Sequence, residues 1–244
     1  MKALILTSQR SGSTFLQYCL DAHPSVRCYG EWLVGGHLVA PPPFRGRRVL
    51  TKAWRYVVIR AWDPVGILDR HYARNEAPVV AFRAMYNHVD NRRVRNYLVR
   101  HPEIRVIHLR RDNLLKQYVS KVLLGAKRER PWQPHTDHRI PVVSVRVSPE
   151  RAMQEMSRVQ RAFRKFEQLL SGHRKIELVY ERMVNGQTLS QEAWSKISDL
   201  LEIEPAEIGS NLVKMNPHDL RPMVSNYDEL AAALAGTEFE RYLD

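Results

Sequence analysis

A three-layer α/β domain, a central parallel sheet flanked by helices, is the fold class this sequence predicts, and two patterns predict it. Short apolar runs without polar alternation recur at ALILT (Ala3 to Thr7), PVVAF (Pro78 to Phe82), IRVIHL (Ile104 to Leu109) and IELVY (Ile176 to Tyr180), as strands do when helices cover both of their faces. Between these runs lie segments whose apolar residues recur at helical spacing, and alternation of the two element types points to a parallel sheet.

The first run leads into SQRSGSTFL, Ser8 to Leu16. A buried strand that opens into a short, basic, glycine- and hydroxyl-rich turn and then a helix builds an anion cradle. Backbone amides from Ser11 to Thr14 can face an anion, Gly12 permits close backbone approach, Ser13 and Thr14 add hydroxyls and Arg10 adds a full charge. The ATP-type pattern GxxxxGK[ST] is absent, which disfavours a metal-dependent kinase. The next clear helix is DNLLKQYVSKVLL, in which Asp112 or Asn113 caps and Leu114, Leu115, Tyr118, Val119, Val122 and Leu123 share a face. In SPERAMQEMSRVQRAFRKFEQLLSG, Ser148 caps, Pro149 fits the first turn, Met153, Met156, Val159, Phe163, Phe166 and Leu170 line one side, and Gly172 ends it. LSQEAWSKISDLL turns Trp194, Ile197 and Leu201 inward from a Ser190 cap, and NYDELAAAL reads as a terminal amphipathic helix.

Two stretches read as irregular insertions, about 35–75 and 125–147. Such insertions are commonly lids or binding loops, and mobile surface loops without function look the same in sequence. Trp54, Trp62 and Trp132 within them are candidates to stack on a sugar or an aromatic ring, or to serve as satellite core.

With 244 residues, 44% of them apolar, the chain suits one domain spanning residues 1–244. No membrane span is readable, and the apolar stretch of MKALILTSQR is too short for a signal peptide, so the expectation is a soluble cytoplasmic protein. Cys19 and Cys28 suggest neither a disulfide framework nor a zinc site. A net charge of +12 favours anionic partners without choosing among nucleotide, polyanion, nucleic acid and membrane surface. The arginines are spread over the whole length rather than packed with aromatics, which argues against nucleic acid. The oligomeric state is not readable.

Several segments, in order, carry a resemblance: RSGSTFLQYCLDAHPSVRCYGE, VVAFRAMYN, VIHLRRDNLLKQYVS, IELVYERMV and the tail from LVKMNPHDL to ERYL. Together they resemble sulfotransferases that use 3'-phosphoadenosine 5'-phosphosulfate (PAPS), of the bacterial carbohydrate and tyrosylprotein kinds. The closing RKGxxGDW loop of the cytosolic small-molecule branch is absent.

The resemblance implies a P-loop-NTPase-like sulfotransferase fold and transfer of a sulfuryl group from PAPS to an acceptor hydroxyl on a carbohydrate, tyrosine or small molecule, with no metal. The 5'-phosphosulfate falls to Arg10, Ser11, Gly12, Ser13, Thr14 and Phe15, with Arg10 the leaving-group cation and Glu31 the base. Arg83 is a second cation for the sulfate. The 3'-phosphate falls to Ser120 with Arg110 or, by slight preference, Arg111, and to Lys214 in the tail. His23, in AHP, is read as helping its helix stop rather than as a base. Trp32 after Glu31 departs from the tyrosylprotein pattern, which continues with polar residues. A kinase of related fold and a non-catalytic polyanion binder stand as alternatives, and the excess charge can also draw in an acidic glycan or peptide acceptor.

Overall fold

The computed structural model describes residues 1–31, 64–73, 76–128, 144–204, 206, 209 and 219–243. Their strands are β1 (Lys2–Thr7), β2 (Val26–Glu31), β3 (Val79–Met85), β4 (Arg105–Arg110) and β5 (Lys175–Val179), with a short antiparallel pair, β6 (Val184–Asn185) and β7 (Thr188–Leu189). The helices are α1 (Ser13–Asp21), α2 (Pro64–Tyr72), α3 (Tyr86–Val89), α4 (Arg92–Arg100), α5 (Leu114–Arg128), α6 (Pro149–Leu169), α7 (Tyr180–Met183), α8 (Gln191–Leu201) and α9 (Tyr227–Leu234).

The first five strands form one parallel sheet in the order β2-β3-β1-β4-β5. Alternate residues of the central strands serve opposite faces, the reason their sequences read as continuous apolar runs. Ala3, Ile5, Ala81, Ile107 and Leu109 meet Phe15, Leu16, Cys19 and Leu20 of α1 and Trp194, Ile197 and Leu201 of α8. Leu4, Leu6, Val80, Phe82 and Val106 meet Ile67, Leu68 and Tyr72 of α2, Val94, Tyr97 and Leu98 of α4, and Phe166 of α6. A third cluster joins α5, the first half of α6 and α9 beside the sheet.

The caps follow the sequence. Asn113 Oδ1 accepts from the Lys116 amide at 2.8 Å, Ser148 Oγ from Arg151 at 3.3 Å and Ser190 Oγ from Ala193 at 3.3 Å. α6 ends at Leu169, before Gly172. His23 is buried, its Nδ1 accepting from the Ser25 amide and its Nε2 bonded to the Glu204 carbonyl, which ties the end of α1 to the segment after α8.

Two expectations need correction. VRCYGE, which is not among the four predicted strands, forms β2 at the edge of the sheet, where Arg27 is exposed and Gly30 interrupts the pattern, so it lacks the apolar run of an interior strand. The irregular insertions are shorter than 35–75 and 125–147, because α2 occupies 64–72 and α5 continues to Arg128. Pro64 suits a first helical turn, but Gly66 and the charges of LDRH thin the apolar stripe of α2 to Ile67, Leu68 and Tyr72. No described helix is long and apolar enough to cross a membrane.

α5 and α6 are also tied by charge. Glu155 of α6 accepts from Arg158 of its own helix at 2.8 Å and from Lys121 of α5 at 2.7 Å. Arg158 first, and Lys121 after it, hold the Glu155 carboxyl at about 2, below its ordinary 4.5 and against the opposing push of burial. A depressed carboxyl contributes stability that is complete above its unfolded value and lost as pH falls to the folded one. Urea unfolding of Glu155→Gln should therefore lose less stability than the parent between pH 4.5 and about 2.

Candidate functional site

β1 and β4 are neighbours whose following segments leave for opposite sides, α1 packing on one face of the sheet and α5 joining the cluster beside it. In an open parallel sheet, such a divergence at the carboxyl ends of the strands leaves a crevice for a ligand. The loop that enters it is anchored from beneath. Thr7 Oγ1 donates to the Leu109 carbonyl at 2.8 Å and lies 2.5 Å from Ser11 Oγ, while Gln117 Nε2 of α5 donates to Ser8 Oγ at 2.6 Å and to the Gln9 carbonyl.

Two successive features then shape the turn. Arg10 adopts a left-handed backbone at φ 62°, uncommon for a residue with a Cβ. Gly12 follows at φ 85°, and a Cβ there would sit 2.1 Å from Tyr180 Cδ2. Glycine is required twice over, by conformation and by the ring beneath it. Gly12 caps α1 without a side-chain hydrogen bond, so the first-turn amides have no partner within the helix and face the loop with the positive end of its dipole.

Arg10 Nε donates to Ser120 Oγ of α5 at 3.0 Å. No carboxylate among the described residues pairs with Arg10, and a second guanidinium, Arg111, reaches the Arg10 carbonyl at 3.4 Å. Burial first, and then the Arg111 charge, pull the Arg10 guanidinium below its ordinary pKa. Arg111 lies over the Tyr180 ring at 5.0 Å and donates to Glu181 Oε1 at 3.2 Å. The same carboxylate accepts from the Asp112 and Asn113 amides, which anchors the segment leading into α5.

At the other end of the site stand Glu31, Arg83 and His88. β2 slips register between Tyr29 and Glu31, so Tyr29 pairs with Phe82 but Glu31 pairs with Arg83. Without that bulge at Gly30, strict alternation would send Glu31 to the face of Tyr29; the extra residue returns it to the face that Arg83 and α1 share. Arg83 Nη1 donates to Thr14 Oγ1 at 2.5 Å and Nη2 lies 4.0 Å from Glu31 Oε2, while its buried Nε has no hydrogen-bond partner among the described residues. His88 Nε2 lies 3.2 Å from Glu31 Oε1. Burial pushes the Glu31 carboxyl up, but the hydrogen bond to His88 and then the Arg83 charge outweigh it, and the carboxyl is held below its ordinary range.

Arg10, Ser11, Gly12, Ser13, Thr14, Phe15, Arg83, Glu31, Arg111 and Ser120 thus all lie at one edge of the sheet. Arg83 sits within β3 rather than after it. Arg110 is separate: it pairs with Glu177 and Asp112 and lies over Phe163 at 5.9 Å, on the opposite side of β4 from Leu109. Lys214, Trp32, Trp54, Trp62 and Trp132 lie outside the described residues. Sequence reasoning missed His88, Tyr180, Gln117 and Glu181. Glu181 is a polar residue just beyond a predicted strand, where a site residue could have been sought; His88 lies six residues past one, and Tyr180 and Gln117 carried only an apolar-run and a helix signal.

The family of this fold and site follows from comparison. The model of the sulfotransferase family matches residues 3–204, and the chain belongs to that family, whose members are PAPS-dependent enzymes. Among solved structures, a crystal structure of a sulfotransferase from Alicyclobacillus acidocaldarius shares the fold, at 12% identity and a TM-score of 0.53, over 100% of this chain and 96% of that one. No curated protein matches the chain.

The residues at the loop fit such a donor: Arg10 is a partly buried cation without an acid partner among the described residues, and the α1 amides beside it lack helical acceptors. Gly12→Ala should destabilise the protein by about 1 to 2 kcal/mol for the left-handed backbone alone, with the clash at Tyr180 in addition. Calorimetry with 3'-phosphoadenosine 5'-phosphate should show at least a tenfold loss of affinity, and unchanged binding would refute the tight fit assigned to this turn.

Proposed function

We propose that this chain moves a sulfuryl group from PAPS to an acceptor hydroxyl by in-line transfer, with Glu31 as general base and Arg10 as the leaving-group cation. The observation that carries the reading is Arg83, one guanidinium that donates to Thr14 of the anion loop and faces Glu31, so that both ends of a transfer reaction would meet at one side chain. When bound, the donor supplies the sulfuryl group and a phosphate that departs with added negative charge.

The protein's part is positioning and charge. Arg10, the Ser13 and Thr14 hydroxyls and the first amides of α1, including that of Phe15, with Ser11 and Gly12 completing the turn, would hold the phosphosulfate end. Arg10 is suited to the charge that grows there because no carboxylate among the described residues already neutralises it. Arg83, whose buried Nε has no acceptor among the described residues, would hold the sulfuryl oxygens. Glu31 would take the proton of the acceptor hydroxyl; its carboxyl is ionised at neutral pH, and its position opposite Arg83 and His88 orients it for that step. Ser120 and Arg111 are assigned to the 3'-phosphate, and Lys214 with them. The Ser120 hydroxyl already bonded to Arg10 would then couple the two phosphate sites. Arg110, engaged by Glu177 and Asp112, is dropped from that role.

The acceptor hydroxyl is carried by a carbohydrate, a tyrosine or a small molecule, and a net charge of +12 would favour one that bears acidic groups. The test combines radiolabelled PAPS with a panel of sulfated and unsulfated oligosaccharides, tyrosine peptides and 4-nitrophenol. Failure to bind 3'-phosphoadenosine 5'-phosphate would overturn the reading. Glu31→Gln should keep that affinity and lose turnover by about 100- to 10,000-fold, as expected when a general base is removed. Arg10→Lys keeps the charge but not the planar fork, so its turnover should also fall while the fold is retained.

A further inference from the structure

We propose that His88 is the positioning residue of the base: it holds the Glu31 carboxylate by a hydrogen bond from Nε2, and its own ring is fixed by the backbone of Met85. The inference rests on the reading of Glu31 as base.

The ring is locked from both sides. The Met85 amide donates to His88 Nδ1 at 3.3 Å, and an amide can donate only to a nitrogen that carries no proton. The remaining proton of the neutral imidazole therefore sits on Nε2, and Nε2 lies 3.2 Å from Glu31 Oε1. The contact runs from a ring donor to a carboxylate acceptor. His88 is 1% exposed and Glu31 22%, so the pair is shielded on the histidine side and open on the carboxylate side. That asymmetry suits a base which must meet an incoming hydroxyl while one of its oxygens is pinned.

Position in the chain gives the pair its rigidity. His88 is the third residue of α3, the single turn that follows β3 at the carboxyl edge, and its backbone amide bonds the Met85 side chain while its ring accepts from the Met85 amide. Arg83 and His88 thus reach Glu31 from the same strand and turn, one at each carboxylate oxygen. A carboxylate hydrogen-bonded at one oxygen and facing a guanidinium at 4.0 Å with the other is biased toward one orientation in the cleft, and orientation errors near one ångström at a reacting group cost about a hundredfold in rate.

Three full-length variants, Glu31→Gln, His88→Ala and His88→Gln, test this with readouts that need no acceptor. Among the described residues the titratable groups facing Glu31 are the Arg83 guanidinium from β3 and the His88 imidazole from α3, with Tyr18 of α1 and Cys28 of β2 acting on Arg83. Long-range proton–nitrogen NMR of the free protein should show His88 with its proton on Nε2, and Glu31→Gln should shift that signal. The carboxyl-carbon titration of Glu31 should move upward in His88→Ala, where burial is opposed only by Arg83. It should stay near the parent value in His88→Gln, whose amide can donate to Glu31 and whose carbonyl can accept from Met85. Affinity for 3'-phosphoadenosine 5'-phosphate should be unchanged in all three. With the acceptor panel, His88→Ala should lose about 10- to 100-fold in kcat and His88→Gln should recover part of it.

A proton on Nδ1, or a Glu31 titration unmoved in a folded His88→Ala, overturns the proposal whatever the turnover. If His88→Ala does not fold, the tautomer and the His88→Gln titration decide in its place. A Glu31→Gln enzyme with full activity and an intact His88 coupling would refute Glu31 as the base and reduce the pair to a structural link. An inert Glu31→Gln enzyme beside a fully active His88→Ala would refute the role of His88 alone.

Discussion

A partly buried guanidinium without an acid partner among the described residues is the constraint around which the carboxyl edge of this sheet is arranged. Arg10 is turned by a left-handed backbone toward Ser120, with Arg111 beside it and a neutral hydroxyl as its bonded partner. Two like charges brought together in a partly dry crevice repel, and the repulsion has to be held by covalent and packed structure. Three supports hold it: the bond from Thr7 to the β4 carbonyl, the Gln117 amide beneath Ser8 and Gln9, and the Tyr180 ring against Gly12. Each comes from a different element, so the loop is fixed only when β1, β4, α5 and the end of β5 have assembled. An anion bound there would relieve the repulsion, and donor binding should stabilise the fold by mass action.

The second half of the site is built by a different device. Glu31 reaches the face of Arg83 because one strand carries an extra residue, and Arg83 in turn touches Thr14 of the loop. The edge position of β2 matters here. An interior strand has partners on both sides, and a bulge would break two ladders; at an edge it disturbs one. The same edge leaves Glu31 partly open while Arg83 is mostly covered, at 22% and 11% side-chain exposure. The cation is thus enclosed and the carboxylate presented, which is the order in which a donor and then an acceptor would need them.

How much of this could be read from the chain depended on whether the signal was local. The apolar runs of β1, β3 and β4, buried on both faces, and of β5 at the other edge, where Glu177 is exposed, were legible with the caps at Asn113, Ser148 and Ser190, because an apolar run and a side-chain cap are set by neighbours in sequence. β2 was not, since an edge strand with Arg27 exposed and Gly30 near its end has neither a run nor a clean alternation. α2 was hidden for a related reason: its buried residues are only Ile67, Leu68 and Tyr72 once Gly66 and the charged residues are set aside. The anion loop was legible as a compact motif, whereas His88 and Tyr180 act through contacts with residues 57 and 168 positions away, Glu31 and Gly12, and carry no mark of those contacts in their own surroundings.

The adjacent Arg110 and Arg111 show why residue type alone cannot assign a role. Arg110 is the last residue of β4, and the two-residue period of the strand puts it on the side of His108, against Phe163 and the carboxylates of Glu177 and Asp112. Arg111 is the first residue past the strand. Freed from that period, it turns toward the opposite side, over Tyr180 and onto the Arg10 carbonyl. One position along the chain separates a guanidinium spent on two carboxylates from one that borders the anion loop. The boundary between them is where the ladder of β4 with β5 stops, at Arg110 opposite Val179. Register therefore decides which arginine meets the crevice, and register is set by the pairing of the two strands rather than by anything in the dipeptide itself.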